Sequence, residues 1–279
     1  MNFETLAQRL GGHLSRWLVA IVLLPPVVYS MWADEYLLFF VFMLVIGGLT
    51  WWEFSRLLFG PNRLDLLFLA LTGWLAVAFG AFCYGPTGQS LGLVLALALG
   101  SGYTMWSLER ESGPVVLNLL SRFALGQVYL SFLFSFFILL KKADSGGLWL
   151  IYLLAATVAA DTAAFYVGRQ LQGPRLWPKI SPHKTVSGLL GGVAASVLVS
   201  AVFSYFLSTS FSILIALGFF LAVWGALGDL FESALKRALD IKDSSRFLLG
   251  HGGFWDRFDS LIFNIVPVYA LVDLVLNAH

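Results

Sequence analysis

The chain has 279 residues, of which 59% are hydrophobic and only 12% are charged, and its mean hydropathy is +0.83. This composition excludes an ordinary soluble globular protein and is typical of a chain built for lipid. The formal net charge of +1 provides no extended basic surface, so nucleic acid is not an expected partner.

Apolar runs that are long enough to cross a bilayer recur along the whole chain. A transmembrane helix needs about 20 mostly apolar residues, because the hydrocarbon core is about 30 Å thick. By this measure we expect nine spans, near 15–33, 36–57, 64–84, 89–107, 118–140, 147–168, 188–207, 211–235 and 258–277. The runs lack the strict two-residue alternation of membrane β-strands, so the predicted fold is all-α.

Basic residues are distributed unequally between the segments that link these spans. Cytoplasmic segments retain Lys and Arg during insertion, so the side that holds most of them should be cytoplasmic. With the N-terminus inside, the outer segments hold only Lys141 and Lys142 of the 17 basic residues. We therefore predict a cytoplasmic N-terminus and a cytoplasmic working face at 169–187 and 236–257. We expect one membrane domain, in which 1–140 is scaffold and 145–279 carries the chemistry.

Two acidic residues lie inside or beside predicted spans. Glu53 follows Trp51 and Trp52 at the end of the second span, so we interpret it as an interfacial anchor. Asp161 lies inside the sixth span, where an ionised side chain costs at least about 2.5–3.5 kcal/mol. It should therefore face the bundle interior with a partner. That partner is either a substrate or a purely structural counter-ion.

A polar segment follows the span that carries Asp161. It contains Arg169 and then the run from Ser181 through Lys184 to Thr185, directly before a Gly-rich helix start. Hydroxyl groups, an ammonium group and free backbone N–H groups at such a position are suited to an anion. The segment therefore predicts a phosphate site, although a solvated loop with a proline turn is the alternative.

The strongest polar pattern begins at the end of the eighth span. Asp229, Ser233 and Lys236 share one helix face, because residues four and seven apart nearly eclipse. Glu232 lies on the flank of this stripe, and Arg237 follows it. A solvated charged surface would show a similar pattern, but Asp229 directly follows an apolar run and is not merely a loop residue.

A glycine-rich segment with further charges leads into the last span. Lys242 and His251 precede Asp256, and Asp259 lies three residues beyond it, so both carboxylates project to one side of a helix. Hard cations prefer oxygen ligands, and metal-bound phosphate attracts Lys and Arg. The pattern predicts a magnesium–phosphate site. His251 is either a direct participant or a structural hydrogen-bonding group.

Together these segments resemble the signature of the phosphatidate cytidylyltransferase family. The similarity covers Ser233-x-Leu-Lys-Arg-x4-Lys-Asp-x-Ser-x2-Leu-x2-His-Gly-Gly-Phe-x-Asp-Arg-Phe-Asp259, with further blocks at 161–169 and 181–185. The predicted spans agree with the layout of the family over essentially the whole chain. Leu249 stands where the family usually has proline, and Val186-Ser187 where it commonly has an aromatic residue followed by Glu or Gln.

The resemblance implies transfer of CMP from CTP to phosphatidic acid, giving CDP-diacylglycerol and pyrophosphate, by a homodimeric membrane enzyme. The expected cofactor is magnesium, and a second, monovalent cation stays open. The implied metal ligands are Asp229, Asp256 and Asp259. The implied catalytic residues are Asp229, Lys236, Arg237, His251, Asp256 and Arg257. The implied substrate-binding residues are Asp161, Arg169, Ser181, Lys184, Thr185, Ser233 and Lys242.

Two other functions fit part of the pattern. A CDP-alcohol phosphotransferase also binds metal and a CDP-lipid, but the sequence lacks its Asp-Gly-x2-Ala-Arg pattern. A cation-coupled transporter would use Asp161 and Asp229 as an ion path, yet residues 1–140 contain no counterpart of these sites. The nucleotidyltransferase is therefore the favoured expectation.

Overall fold

The computed structural model describes residues 25–207, 209–241 and 253–273. Within these ranges the chain is helical apart from one two-stranded hairpin, so the predicted all-α class is confirmed. The chain divides into two compact units. The first comprises the described residues of Met1–Leu139 and Asp243–Asp256, and the second comprises those of Leu140–Lys242 and Arg257–His279. The division into a scaffold half and a catalytic half stays a prediction.

The first unit is built from long apolar helices. Its elements are α1 (Tyr36–Phe59), α2 (Leu64–Ser107), α3 (Gly113–Gly126), a π-helical turn (Gln127–Phe132) and most of α4 (Leu133–Lys142). The short 3-10 turn Trp255–Arg257 begins in this unit. These helices position the Trp255 turn, which carries part of the signature.

Helix α2 is a pair of antiparallel arms that meet at Gly85. This residue has a non-helical backbone (φ 65°, ψ −146°) and precedes Pro86. A Cβ atom added to Gly92 would lie only 2.5 Å from the carbonyl oxygen of Ala76. In a continuous helix, residues 16 apart would be separated by about 24 Å. The chain therefore reverses direction between the predicted spans 64–84 and 89–107.

The second unit consists of four helices and the hairpin. Its elements are α5 (Gly146–Leu171), β1 (Arg175–Trp177), β2 (Ser181–Thr185), α6 (Val186–Phe203), α7 (Phe211–Ala238) and α8 (Asp259–Leu271). The strands are antiparallel, with Arg175 opposite Thr185 and Trp177 opposite Ser181. Gly173 adopts a φ of 119° where the chain turns from α5 into the hairpin, a conformation that glycine tolerates without steric cost.

Glycines let the helices of the second unit approach closely. A Cβ atom on Gly188 of α6 would lie 2.7 Å from the carbonyl oxygen of Ala164 on α5. A Cβ atom on Gly228 of α7 would lie 2.8 Å from the carbonyl oxygen of Asp259 on α8. Small residues at such crossings are typical of packing between membrane helices. The first contact places the start of α6 beside α5, and the second places the start of α8 beside α7.

Six helical segments among the described residues are long and apolar enough to cross a membrane. They are Tyr36–Phe59, Leu64–Ser107, Gly113–Lys142, Gly146–Leu171, Val186–Phe203 and Phe211–Ala238. Helix α8 is apolar but has only 13 residues. The first predicted span, 15–33, lies mostly outside the described residues. The chain is therefore a multi-pass membrane protein by composition and helix length, and the count of nine spans stays a prediction.

Candidate active site

The second unit contains an open cavity of about 940 Å³. Its walls are the C-terminal half of α5, the β-hairpin, the start of α6 and the middle of α7. The volume lies near the upper end of the range for small-molecule sites, which is roughly 300–1,000 Å³. The charged or titratable residues that line it are Asp161, Arg169, Arg175, His183, Lys184 and Asp229. The cavity thus presents both signs of charge to one ligand.

Six predicted site residues come together at this cavity. They are Asp161, Arg169, Ser181, Lys184, Thr185 and Asp229. Residues 68 apart in sequence therefore contribute to one site, as the family resemblance implies. The segment Ser181–Thr185 is a strand of the hairpin and not the solvated loop with a proline turn that was the alternative.

Thr185 links the hairpin to the first turn of α6. Its backbone is extended, and its hydroxyl group accepts a hydrogen bond from the backbone N–H of Gly188 at 3.1 Å. This is an N-cap, which satisfies one of the N–H groups left free at a helix start. Because Thr185 and Gly188 both line the cavity, the positive end of the α6 dipole also lies at the cavity wall.

Lys184 and Asp229 form an ion pair between the hairpin and α7. The Nζ atom of Lys184 lies 2.5 Å from Oδ2 of Asp229. Asp161 interacts electrostatically with both residues. Asp161 is exposed at the cavity, and it has a cationic group nearby, as its position in an apolar helix requires.

Three carboxylates form a cluster beside the cavity. One oxygen each from Asp229, Glu232 and Asp259 lies within 4.8 Å of the others. Gly228 permits this arrangement, since it has no side chain to hold α8 away from α7. An all-oxygen, anionic donor set suits a hard divalent cation, so the residues fit the magnesium that the resemblance implies.

Glu232 is a member of this cluster that was not predicted as a site residue. It is buried, and its Oε1 atom lies 2.6 Å from Nζ of Lys236. Its position three residues after Asp229 was the available signal, because residues three apart are neighbours on a helix. Arg175 and His183 were also missed as cavity residues. The register that brings Arg175 opposite Thr185 belongs to a hairpin that was not predicted.

The remaining predicted residues of α7 do not line the cavity. Ser233 and Lys236 are half-buried in the last two turns of the helix, and Arg237 is exposed. Lys236 is held beside Glu232 of the carboxylate cluster. Their predicted roles with phosphate stay predictions.

The signature segment is described only in part. Lys242 and His251 lie outside the described residues. Asp256 belongs to the first unit, where its Oδ2 atom accepts a hydrogen bond from the backbone N–H of Gly253 at 3.0 Å. Arg257 is exposed. The sharing of one metal by Asp229 and Asp256 stays a prediction.

Glu53 is not the interfacial anchor that its neighbours Trp51 and Trp52 suggested. Its side chain is 3% exposed, and its Oε2 atom accepts a hydrogen bond from the backbone N–H of Trp255 at 2.9 Å. The interpretation failed because the two adjacent tryptophans indicated a membrane interface, whereas the helix turns Glu53 towards the interior of the first unit.

Residues 14–275 match the cytidylyltransferase family. The chain belongs to this family. The matched region contains the whole cavity lining and the carboxylate cluster. The site, with its carboxylates and cationic side chains in one unit, therefore lies within the part of the chain that defines membership of the cytidylyltransferase family.

Relatives within the cytidylyltransferase family carry a common name. The phosphatidate cytidylyltransferase of Helicobacter pylori (strain J99) is 31% identical over 266 residues, which cover 95% of this chain and 94% of that protein. The phosphatidate cytidylyltransferase of Bacillus subtilis is 40% identical over 153 residues, 54% of this chain and 57% of that protein. That of Staphylococcus aureus (strain COL) is 39% identical over 135 residues, 47% of this chain and 52% of that protein. The chain thus aligns with little more than half of the latter two relatives and with nearly all of the first.

Proposed function

We propose that this protein is a phosphatidate cytidylyltransferase, which transfers CMP from CTP to phosphatidic acid and releases pyrophosphate. The observation that carries the proposal is the cavity of the second unit, where Lys184, Arg169 and Arg175 face the carboxylates Asp161 and Asp229. This combination suits a substrate with several phosphate groups. The near full-length relative named for this activity supports the same assignment.

The reaction joins two anionic reactants. A phosphate oxygen of phosphatidic acid forms a bond to the α-phosphorus of CTP, and the bond from that phosphorus to the oxygen bridging to the β-phosphorus breaks. Pyrophosphate carries away the electron pair. No protein nucleophile is required, so the protein contributes positioning and charge neutralisation.

The cationic side chains of the cavity perform most of that work. Lys184 and Arg169 bind phosphate oxygens, and the N-terminus of α6 adds backbone N–H groups beside Thr185. Ser181 donates a further hydrogen bond from its hydroxyl group. Asp161 orients Lys184 by electrostatic attraction. These groups hold the phosphate of phosphatidic acid beside the triphosphate of CTP, although the two anions repel each other.

Asp229, Glu232 and Asp259 are the residues that would hold magnesium, and Asp256 is proposed as a further ligand. The bound cation would supply neutralisation of negative charge on the triphosphate. Further contacts to phosphate are proposed for the polar residues that surround this segment, namely Ser233, Lys236, Arg237, Lys242, His251 and Arg257. A second, monovalent cation stays open.

The proposed setting of the enzyme is a bilayer. We propose nine spans, a cytoplasmic N-terminus and a homodimer, with 169–187 and 236–257 on the cytoplasmic side. Several large apolar side chains of the second unit are exposed, including Leu190 and Leu198. Such surfaces suit contact with lipid. Phosphatidic acid would enter from the bilayer, and CTP from the cytoplasm.

An assay with differentially labelled CTP tests this function. Purified protein in detergent receives phosphatidic acid, magnesium and CTP labelled at either the α- or the γ-phosphate. We expect the α-label in a lipid product and the γ-label in pyrophosphate, in equal amounts. Absence of lipid labelling, combined with labelled cation uptake by reconstituted vesicles, would instead support the transporter. Conversion of CDP-diacylglycerol and an alcohol, without use of CTP, would support the phosphotransferase.

A further inference from the structure

Glu53 is a buried carboxylate in α1, far in sequence from the signature that it contacts. Its side chain is 3% exposed. Burial of a charged group in a membrane protein is costly unless hydrogen bonds compensate for lost solvation. Its Oε2 atom accepts the backbone N–H of Trp255 at 2.9 Å. The carboxylate is therefore tied to the main chain of the signature segment.

Gly253 lies directly against the same carboxylate. A Cβ atom added to Gly253 would overlap Oε1 of Glu53. The atom that this Cβ would meet is a side-chain oxygen, and Gly253 is itself buried. A side chain at this position would therefore displace the carboxylate of Glu53.

Trp255 fixes the segment through its side chain as well as its backbone. The residue is fully buried, and its ring centroid lies 4.9 Å from that of Phe54, the residue next to Glu53. Its indole N–H donates a hydrogen bond to the hydroxyl group of Tyr129 at 3.2 Å. Backbone and ring are thus held by neighbouring positions of α1 and by the π-helical turn.

Asp256 follows Trp255 directly in the chain. Its Oδ2 atom accepts the backbone N–H of Gly253 at 3.0 Å. Glu53 contacts Gly253 and binds the N–H of Trp255, which precede Asp256 in the chain. We infer that Glu53 is a positioning residue that sets the orientation of the Asp256 carboxylate. This inference rests on the proposed function, in which Asp256 is a magnesium ligand.

Two substitutions separate positioning from a general effect on folding. Glu53→Leu keeps the volume but removes the acceptor for Trp255, whereas Glu53→Gln keeps an acceptor oxygen. We expect Glu53→Leu to raise the magnesium concentration for half-maximal velocity by about tenfold or more, which is the usual cost of losing a group that orients a metal ligand. Glu53→Gln should restore most of the wild-type value, and neither variant should change the KM for phosphatidic acid by more than about twofold.

Hydrogen exchange provides a readout that is independent of activity. In the purified protein without substrates, peptides that cover 253–257 should take up deuterium faster in Glu53→Leu than in the wild type. Peptides from α5 should be unaffected. Glu53→Gln should resemble the wild type, because the N–H of Trp255 keeps its acceptor.

A double-mutant cycle tests the contact with Gly253. Gly253→Ala should lower kcat, because its methyl group displaces the carboxylate, and Glu53→Ala should remove most of that penalty. Non-additivity of about 1 kcal/mol or more, a fivefold rate difference, is expected for residues in contact. Gly48→Ala is the control. Gly48 lies in the same helix as Glu53, and a Cβ atom there has no neighbour within 4 Å.

The inference would be overturned if Glu53→Leu left both the magnesium requirement and the hydrogen exchange of 253–257 unchanged. It would also be overturned if the losses of kcat from Gly253→Ala and Glu53→Ala simply multiplied in the double mutant. If the wild-type protein makes no CDP-diacylglycerol, the proposed function fails instead. The exchange measurement still decides in that case whether Glu53 holds the segment.

Discussion

The Nζ atom of Lys184 in the β-hairpin lies 2.5 Å from Oδ2 of Asp229 in α7. The contact joins the proposed phosphate-binding wall to the proposed metal cluster, because Asp229 also approaches Glu232 and Asp259. The side chains of Lys184 and Asp229 keep 22% and 32% of their surface exposed. Both side chains therefore border the cavity, and the Nζ atom of Lys184 itself is buried against Asp229.

Replacement of Lys184 should impair turnover. Lys184→Gln removes the positive charge that we assign to phosphate binding, so kcat/KM for CTP should fall by about 10²-fold, comparable to the loss of one preorganised charged donor. Lys184→Arg should recover only part of the activity, because the guanidinium group differs in shape and hydration from an ammonium group. Initial rates of labelled lipid formation measure the effect.

Lys179→Gln is the matched control for this substitution. Lys179 is exposed in the turn of the same hairpin and does not line the cavity. It should keep its activity within about twofold, as expected for a surface change. Equal losses of activity in Lys184→Gln and Lys179→Gln would show that activity depends on the charge of the hairpin in general and not on Lys184 in particular.

Thr185 should be needed for the start of α6. Thr185→Val preserves shape but removes the oxygen that accepts the N–H of Gly188, so the free energy of unfolding should fall by about 1 kcal/mol. Thr185→Ser keeps the cap and should differ little from the wild type. Thermal unfolding in detergent distinguishes the variants. A Thr185→Val protein as stable as Thr185→Ser would exclude the capping role.

The reversal of α2 should be sensitive to a single methyl group. A Cβ atom on Gly88 would overlap the carbonyl oxygen of Gly80, so Gly88→Ala should destabilise the protein by about 1–3 kcal/mol through overpacking. Gly102→Ala lies in the same helix, and its Cβ atom would meet nothing within 4 Å. We expect a lower melting temperature for Gly88→Ala alone. Equal melting temperatures would contradict the close backbone approach.

The proposed orientation predicts opposite labelling of two loops. Cys83 is the single cysteine, so Cys83→Ser provides a background in which Lys179→Cys and Asp144→Cys can be compared. In intact cells, a membrane-impermeant maleimide should label the cysteine at 144 and should label the one at 179 only after lysis. Labelling of both positions from outside would reverse our assignment of the working face.

Much of the site could be predicted from the sequence, because its residues are marked by local sequence patterns. Asp161, Lys184 and Asp229 were each selected for a polar group in or beside an apolar span, and the structure brings all three to one cavity. The family signature supplied the connection between segments that helical periodicity alone does not relate. The apolar runs likewise gave the helices, and the Gly85 break separates two of them at the expected place.

Other features depend on tertiary contacts that have no local signal. Arg175 reaches the cavity through a short hairpin that was not predicted, since three-residue strands carry little periodicity. Glu53 was misinterpreted because its partner Trp255 lies 202 residues away. Glu232 lay on the flank of the predicted stripe, and only the close approach of α8 at Gly228 makes it part of the cluster.

Metal binding by Asp229 is tested by the magnesium dependence of lipid labelling in the Asp229→Asn variant. The account predicts that this variant forms CDP-diacylglycerol about 10²-fold more slowly or worse, with a residual rate that no longer rises with magnesium. Asp144→Asn, an exposed carboxylate between α4 and α5, should behave as the wild type. An Asp229→Asn enzyme with the wild-type rate and magnesium dependence would exclude Asp229 as a magnesium ligand.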